Sequence, residues 1–154
     1  MSIFLVRHAK AGKRSHWDKD DSLRPLDEVG RKQALALADR LSEYNPVALV
    51  SSPAVRCRET LEPLAERCGL IVASEPKLYE ELPYEIALDY VLGAADRTVM
   101  CSHGDVIPAI LDALVRRGMT IEGMRDTRKA SVWVLHKDGD DFTSAEVWPP
   151  PSLA

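Results

Sequence analysis

Nowhere in the 154 residues does an apolar run approach the ~20 residues that a membrane-spanning helix requires. No membrane partner is therefore expected. Cysteine is scarce: positions 57, 68 and 101 make an odd count with no Cys-x-x-Cys spacing. They read as reduced thiols of a cytoplasmic protein. A basic excess is missing too, and a formal net charge of −4 argues against a dedicated binder of nucleic-acid polymers. The stretch Met1 to His8 carries no basic segment ahead of an apolar one, so a signal peptide is not expected. The lack of a Gly-rich loop ending in Gly-Lys-Ser/Thr excludes a P-loop nucleotide binder. Cysteine phosphatases need Cys followed six positions later by Arg. Here Cys57 leads to Pro63, Cys68 to Ser74 and Cys101 to Ile107. A metallophosphatase needs clustered His and Asp ligands, and His103-Gly104-Asp105 alone is too little. No metal or other cofactor is expected.

What is present is the composition of an ordinary globular chain, 45% apolar and 29% charged, with room for one domain. Ile3 to Val6 is wholly apolar, as a strand buried on both faces of a parallel sheet should be. Gly12 to Arg24 is a charged loop. A helix is expected from an N-cap at Asp27 to about Tyr44, with Ala34, Leu37, Ala38 and Leu41 inward at i, i+3, i+4, i+7 spacing. Strands follow at Val47–Val50, Leu70–Ala73 and Thr98–Cys101, with helices reaching Cys68 and spanning Glu85–Leu92. The clearest helix has a stripe of Val106, Ile107, Ile110, Leu111, Leu114 and Val115, with Pro108 tolerated in its first turn. Ser131–Leu135 and Phe142–Trp148 read as a closing pair of strands around Asp138-Gly139-Asp140. This alternation predicts a single-domain, three-layer α/β/α sandwich with a mainly parallel sheet over 1–148, and a Pro-rich, poorly packed tail at 149–154.

In open parallel sheets ligands bind beyond the carboxyl ends of the strands. Arg7-His8, Ser51-Ser52 and Ser102-His103 each lie just past an expected strand, so two histidines should converge. Metal-free phosphoryl transfer needs a nucleophile, cationic donors for the equatorial oxygens and an acid for the leaving oxygen. His8 can be the nucleophile. Arg7 and Arg56 can clamp phosphate in bidentate fashion, and His103 adds a donor at a helix start. Glu80 or Glu81 can be the acid.

Four motifs carry a resemblance to the histidine phosphatase (phosphoglycerate-mutase-like) superfamily. Phe4-Leu5-Val6-Arg7-His8-Ala9 resembles its strand ending in Arg-His-Gly, with Ala9 in place of the usual glycine. Pro25-Leu26-Asp27-Glu28-Val29-Gly30-Arg31-Lys32-Gln33-Ala34 is similar to Pro-Leu-Thr-x-x-Gly-x-x-Gln-Ala. Ser52-Pro53-Ala54-Val55-Arg56 through Thr60 is similar to Ser-Pro-x-x-Arg-x-x-x-Thr, and Ser102-His103-Gly104 to the second histidine motif. The four occur in the family's order. The resemblance implies that His8 is phosphorylated in turnover, that Arg7, Arg56 and His103 hold phosphate, and that Glu80, in Leu78-Tyr79-Glu80, is the acid, with Glu81 as the neighbour. The short chain, lacking the mutase branch's insertions, resembles SixA-like phosphatases.

A closer similarity runs through Arg7-His8-Ala9-Lys10-Ala11-Gly12-Lys13-Arg14-Ser15, Trp17, Arg24-Pro25-Leu26 and Lys129-Ala130-Ser131-Val132-Trp133. These stretches look like the phosphatase domain attached to some actinobacterial Nudix hydrolases, which implies nucleotide phosphates as substrates and a functional partnership with a Nudix hydrolase. Lys10, Lys13, Arg14, Ser15, Gly104 and Lys129 are the expected substrate contacts. Cations beyond Arg7 and Arg56 suit a substrate with more charge than one phosphate. A phosphohistidine protein is the alternative substrate, and a module that binds phosphorylated ligands without turnover is the non-enzyme alternative. His16 and His136 are expected at the surface, Arg31 and Arg58 on solvated helix faces, and Gly30 at a close helix contact.

Overall fold

The computed structural model describes residues 1–153. β1 (Ser2–Arg7) divides the core by alternation. Phe4 and Val6 join one apolar cluster and Ile3 and Leu5 the other, as the period of two in a strand requires. On the first face lie α1 (Glu28–Leu41) and α2 (Val55–Cys68); on the second lie α3 (Tyr84–Leu92) and α4 (Val106–Arg116). The remaining strands are β2 (Ala48–Ser51), β3 (Val72–Ser74), β4 (Thr98–Ser102), β5 (Thr120–Glu122), β6 (Val132–Asp138) and β7 (Asp141–Trp148). They form one sheet in the order β3-β2-β4-β1-β6-β7-β5. β6 alone runs against its neighbours β1 and β7, and every other pairing is parallel. The result is the expected α/β sandwich with a mainly parallel sheet.

The chain reverses its direction of travel along the sheet after β3, returning to place β4 between β2 and β1. Phe4 to Arg7 then pair with Val99 to Ser102, and Ser51 pairs with Cys101. This register brings the ends of β1, β2 and β4 to one level, and the residues just past them form one rim.

Local departures from expectation have local causes. The helix expected to reach Tyr44 ends at Leu41 and continues as a 3-10 turn, Ser42–Tyr44, closed by Asn45 in a left-handed conformation. The Asp27 side chain accepts the Gly30 N–H at 2.8 Å, so the expected N-cap is present. β3 starts two residues late because Gly69, at φ 67°, caps α2 and Leu70 N–H returns to the Ala65 carbonyl. Val115, at the end of the apolar stripe expected for α4, is 42% exposed. β5, a three-residue edge strand with one apolar residue, offers no periodic signal and was not anticipated. The tail at 149–153 has no regular structure, and Pro150 in it is half-buried.

Gly30 sits where α1 crosses the loop after β1. A Cβ there would lie 1.8 Å from the Lys10 carbonyl oxygen, so the helix would have to move off the loop. Gly30→Ala should cost about 2–3 kcal/mol, in the range of overpacked sites. The melting temperature would fall by roughly 5–12 °C in a domain of this size; an unchanged melting curve would contradict this packing.

Candidate active site

His8 follows the last residue of β1 and is 5% exposed. Its backbone N–H donates to the Ser102 carbonyl at 3.1 Å, and its ring Nδ1 lies 2.8 Å from the Ala9 carbonyl oxygen. A carbonyl can only accept, so Nδ1 carries the hydrogen and the lone pair is left on Nε2. Burial pushes the imidazole down from its ordinary 6.5 to about 3. The Ala9 carbonyl opposes that shift, and the charges of His103, Arg56 and Arg7 add to it. The His8 ring is thus neutral at physiological pH, with its Nε2 lone pair unengaged by hydrogen.

His103, just past β4, faces it with ring centroids 5.7 Å apart and is 1% exposed. Ser52, past β2, holds His103 Nε2 at 2.7 Å, with the Cys57 sulfur 3.6 Å from the same nitrogen. His103 Nδ1 looks the other way, toward Glu80 Oε2 at 3.5 Å and Arg56 Nη2 at 3.4 Å. Arg56, in the first turn of α2, is fully buried. It donates through Nη2 to Glu80 Oε1 at 2.8 Å and through Nη1 to the Asp21 carbonyl at 2.9 Å. Its Nε has no partner. Arg7 donates through Nη1 to the Thr127 carbonyl at 2.8 Å, and its buried Nε is also unpartnered. Gly104 makes room for it, since a Cβ there would lie 2.7 Å from the Arg7 guanidinium carbon.

Beside these groups lies a cavity of about 710 Å³, and His103, although it faces His8, is buried behind its wall rather than in it. His8, Arg7, Arg56 and Glu80 are in its wall, as are Glu81 and the expected contacts Lys10, Lys13, Arg14, Gly104 and Lys129. Ser15 is not; it lies in the exposed 3-10 turn Arg14–His16. Glu81 takes a left-handed backbone, φ 68°, and its N–H donates to Asp105 Oδ2 at 2.9 Å. His16 is exposed, and His136 bridges Ser2 and Glu146 away from the cavity. Among the described residues no group of three His, Cys, Asp or Glu side chains is placed to hold a metal ion.

The family model of the histidine phosphatase superfamily (branch 1) matches residues 3–82. The chain belongs to the histidine phosphatase superfamily. An 8-oxo-(d)GTP phosphatase of Mycolicibacterium smegmatis is 35% identical over 156 aligned residues, covering 97% of this chain and 48% of the relative. A probable phosphoglycerate mutase of Yersinia pestis is 31% identical over 84 residues, 52% of this chain and 38% of that protein. The chain thus spans less than half the length of these curated relatives. Among solved structures, the protein histidine phosphatase SixA complexed with tungstate superposes with a TM-score of 0.72 at 20% identity, covering 90% of this chain and 89% of that one. A mycobacterial glucosyl-3-phosphoglycerate phosphatase gives 0.73 at 19%, covering 97% and 99%. These likenesses establish the fold.

Four residues beyond the expected ones support the site. Arg24 is buried, donating to the Gly12 carbonyl at 2.6 Å and to Asp21 at 3.0 Å, and it lines the cavity. Asp21 also takes Arg56 and Arg14. Nothing in the local spacing of this loop marks either residue. Ser52 was placed at the rim but not on His103. Thr60 ends the Ser52–Thr60 motif, and its hydroxyl accepts the Ala9 N–H at 2.9 Å and donates to the Arg56 carbonyl at 2.7 Å. One buried hydroxyl therefore ties the helix carrying Arg56 to the peptide that orients His8.

Two outcomes follow from this geometry. Thr60→Val strands the Ala9 N–H without a partner. It should lower kcat by about 10- to 100-fold, as small misplacements of reacting groups do, with KM little changed and Thr60→Ser restoring most of the loss. A proportional rise in KM with kcat intact would contradict the positioning role. Second, unfolded His8 takes up a proton near pH 6.5 whereas folded His8 resists to about 3. The protein therefore loses stability as pH falls through that window, by up to ~1.4 kcal/mol per pH unit from this group. In urea titrations His8→Gln should lose stability less steeply than wild type between pH 6.5 and 4.5; parallel slopes would contradict the buried neutral imidazole.

Proposed function

We propose that this protein is a metal-independent phosphohydrolase that acts through a phosphohistidine on His8, on a nucleotide or similar small phosphoanhydride. The observation that carries the reading is the free Nε2 of a neutral His8 at the floor of a cavity walled by Arg7 and Arg56, with Lys10, Lys13, Arg14 and Lys129 at its edges. The Nε2 lone pair attacks phosphorus, the bond to the leaving oxygen breaks, and that oxygen takes a proton from Glu80. Water then attacks the phosphohistidine, giving its proton back to the Glu80 carboxylate. The phosphorus–nitrogen pair returns to Nε2, and inorganic phosphate leaves. Arg7 and Arg56 neutralise the equatorial oxygens, where charge accumulates, and His103 completes the phosphate pocket beside them. The work assigned to a metal in other phosphatases falls here to fixed cations.

The substrate class rests on charge. The main cavity carries seven Lys and Arg side chains against Glu80, Glu81 and Asp105, more than one phosphate needs. The 8-oxo-(d)GTP phosphatase named among its relatives supports nucleotides, and a Nudix hydrolase that releases a nucleoside diphosphate would be a natural supplier. The SixA-like fold supports the second reading, a protein-phosphohistidine phosphatase.

Phosphate release in EDTA from a panel tests these readings: p-nitrophenyl phosphate, nucleoside di- and triphosphates with and without the 8-oxo group, sugar phosphates and a phosphohistidine protein. Nucleotide turnover in EDTA is the expected result. Loss of turnover on chelation would contradict the mechanism, and preference for the phosphoprotein would favour the second reading. Binding without turnover of any member would leave a phospho-ligand module. Lys13→Ala with Arg14→Ala should raise KM for a nucleoside diphosphate far more than for a simple monoester; equal effects would sink the nucleotide reading.

A further inference from the structure

Beside the main cavity lies a second groove of about 420 Å³, and the two share Arg7, Lys10 and Lys129. The second adds Gln33, Arg128 and Pro150. Unlike the main cavity, it has no acidic side chain in its wall among the described residues. Its cations are only partly neutralised. Arg128 pairs with Asp126 through Nε and Nη2, and Lys10 lies 3.8 Å from Asp27. Lys129 has no carboxylate within 4.0 Å among the described residues. Burial, with the charges of Arg7, Arg24 and Lys10, pushes the Lys129 ammonium down from its ordinary value, so this corner carries like charges at close quarters. Gln33 accepts the Lys10 N–H through Oε1, which leaves its amide NH2 to donate.

The groove is also held at a fixed distance from the nucleophile. Ala130 takes a left-handed backbone, φ 68°, although it is not glycine and is fully buried. Its N–H reaches the carbonyls of Arg7 and His8, both at 3.2 Å, and Arg7 N–H returns to the Ser131 carbonyl at 3.0 Å. The turn bearing Arg128 and Lys129 is thus fastened to the end of β1. Strained backbone of this kind persists where surrounding contacts over-determine it, and such sites cluster around function.

We propose that this groove is a second anion subsite, which takes a phosphate of the substrate other than the one transferred to His8. Nucleotides that carry a second phosphate at a separate position, as nucleoside bisphosphates do, are then bound more tightly than those without it. The groove lies on the Lys129 side of the cavity, whereas the proposed substrate contacts Lys13 and Arg14 line the main cavity and not the groove. A chain of adjacent phosphates along Lys13 and Arg14 would leave the groove empty; a second phosphate elsewhere on the molecule fills it. This inference rests on the reading of the His8 cavity as a phosphate pocket.

Binding to the His8→Ala protein tests it without any dependence on turnover. Calorimetric titrations would compare adenosine 5′-phosphate with adenosine 3′,5′-bisphosphate at ~0.15 M salt, where long-range attraction is screened. The bisphosphate should bind at least tenfold tighter. Gln33→Glu keeps an oxygen for the Lys10 N–H but puts a negative charge in the groove. Combined with Arg128→Ala, it should remove that advantage while the monophosphate keeps its affinity within about twofold. Equal binding of the two nucleotides, or an advantage that survives both substitutions, would overturn the subsite alone. Failure of both nucleotides to bind would overturn the phosphate-pocket reading, and the subsite with it.

Discussion

The hydrogen bond from His8 Nδ1 to the Ala9 carbonyl, 2.8 Å long, is the constraint on which the site depends. It places the hydrogen on one ring nitrogen and so leaves the other free to attack. Burial keeps the ring neutral, so as the proposed nucleophile it needs no separate base to activate it. The Ala9 peptide is fixed in turn by Thr60, Thr60 by the Arg56 carbonyl, and Arg56 by Glu80 and Asp21. The sheet register delivers His103 to the same point, with Ser52 turning its Nδ1 toward the phosphate pocket. The proposed nucleophile and the proposed phosphate clamp are therefore one connected network rather than separate devices.

The same network explains why a chain of net charge −4 can present a cationic face. Two of the carboxylates around the site, Asp21 and Glu80, are paired with Arg56. Lys10, Lys13, Arg14 and Lys129 extend around the opening. A buried, unpartnered Nε on each of Arg7 and Arg56 adds two donors whose hydrogen-bonding capacity the protein itself leaves unused. Overall charge is a poor guide to such a surface; the position of each charge relative to the strand ends decides it.

Much of the fold could be read from periodicity because its core strands are short apolar runs and α4 carries a strong stripe. The site was legible where chemistry sits immediately past a strand: Arg7-His8 and Ser102-His103 met as expected, and Arg56 joined them from a helix start. The illegible parts have physical reasons. β5 gains its pairing from β7 rather than from its own pattern. Arg24 and Asp21 act through a loop closed by the Ala11–Leu26 bridge and by contacts to Gly12, and neither obeys a helical or strand period. The Thr60 role depends on a hydroxyl reaching across to another element, which no spacing along one helix reveals.

The most direct test of the central claim is to trap the intermediate. Substrate labelled in the transferred phosphoryl group would be mixed with enzyme, quenched in alkali, where phosphohistidine survives, and the labelled peptide mapped. The account predicts label on the peptide carrying His8, attached to Nε2, lost on acid treatment and absent from His8→Ala. Label on His103 instead, or full turnover with no labelled histidine, would contradict it.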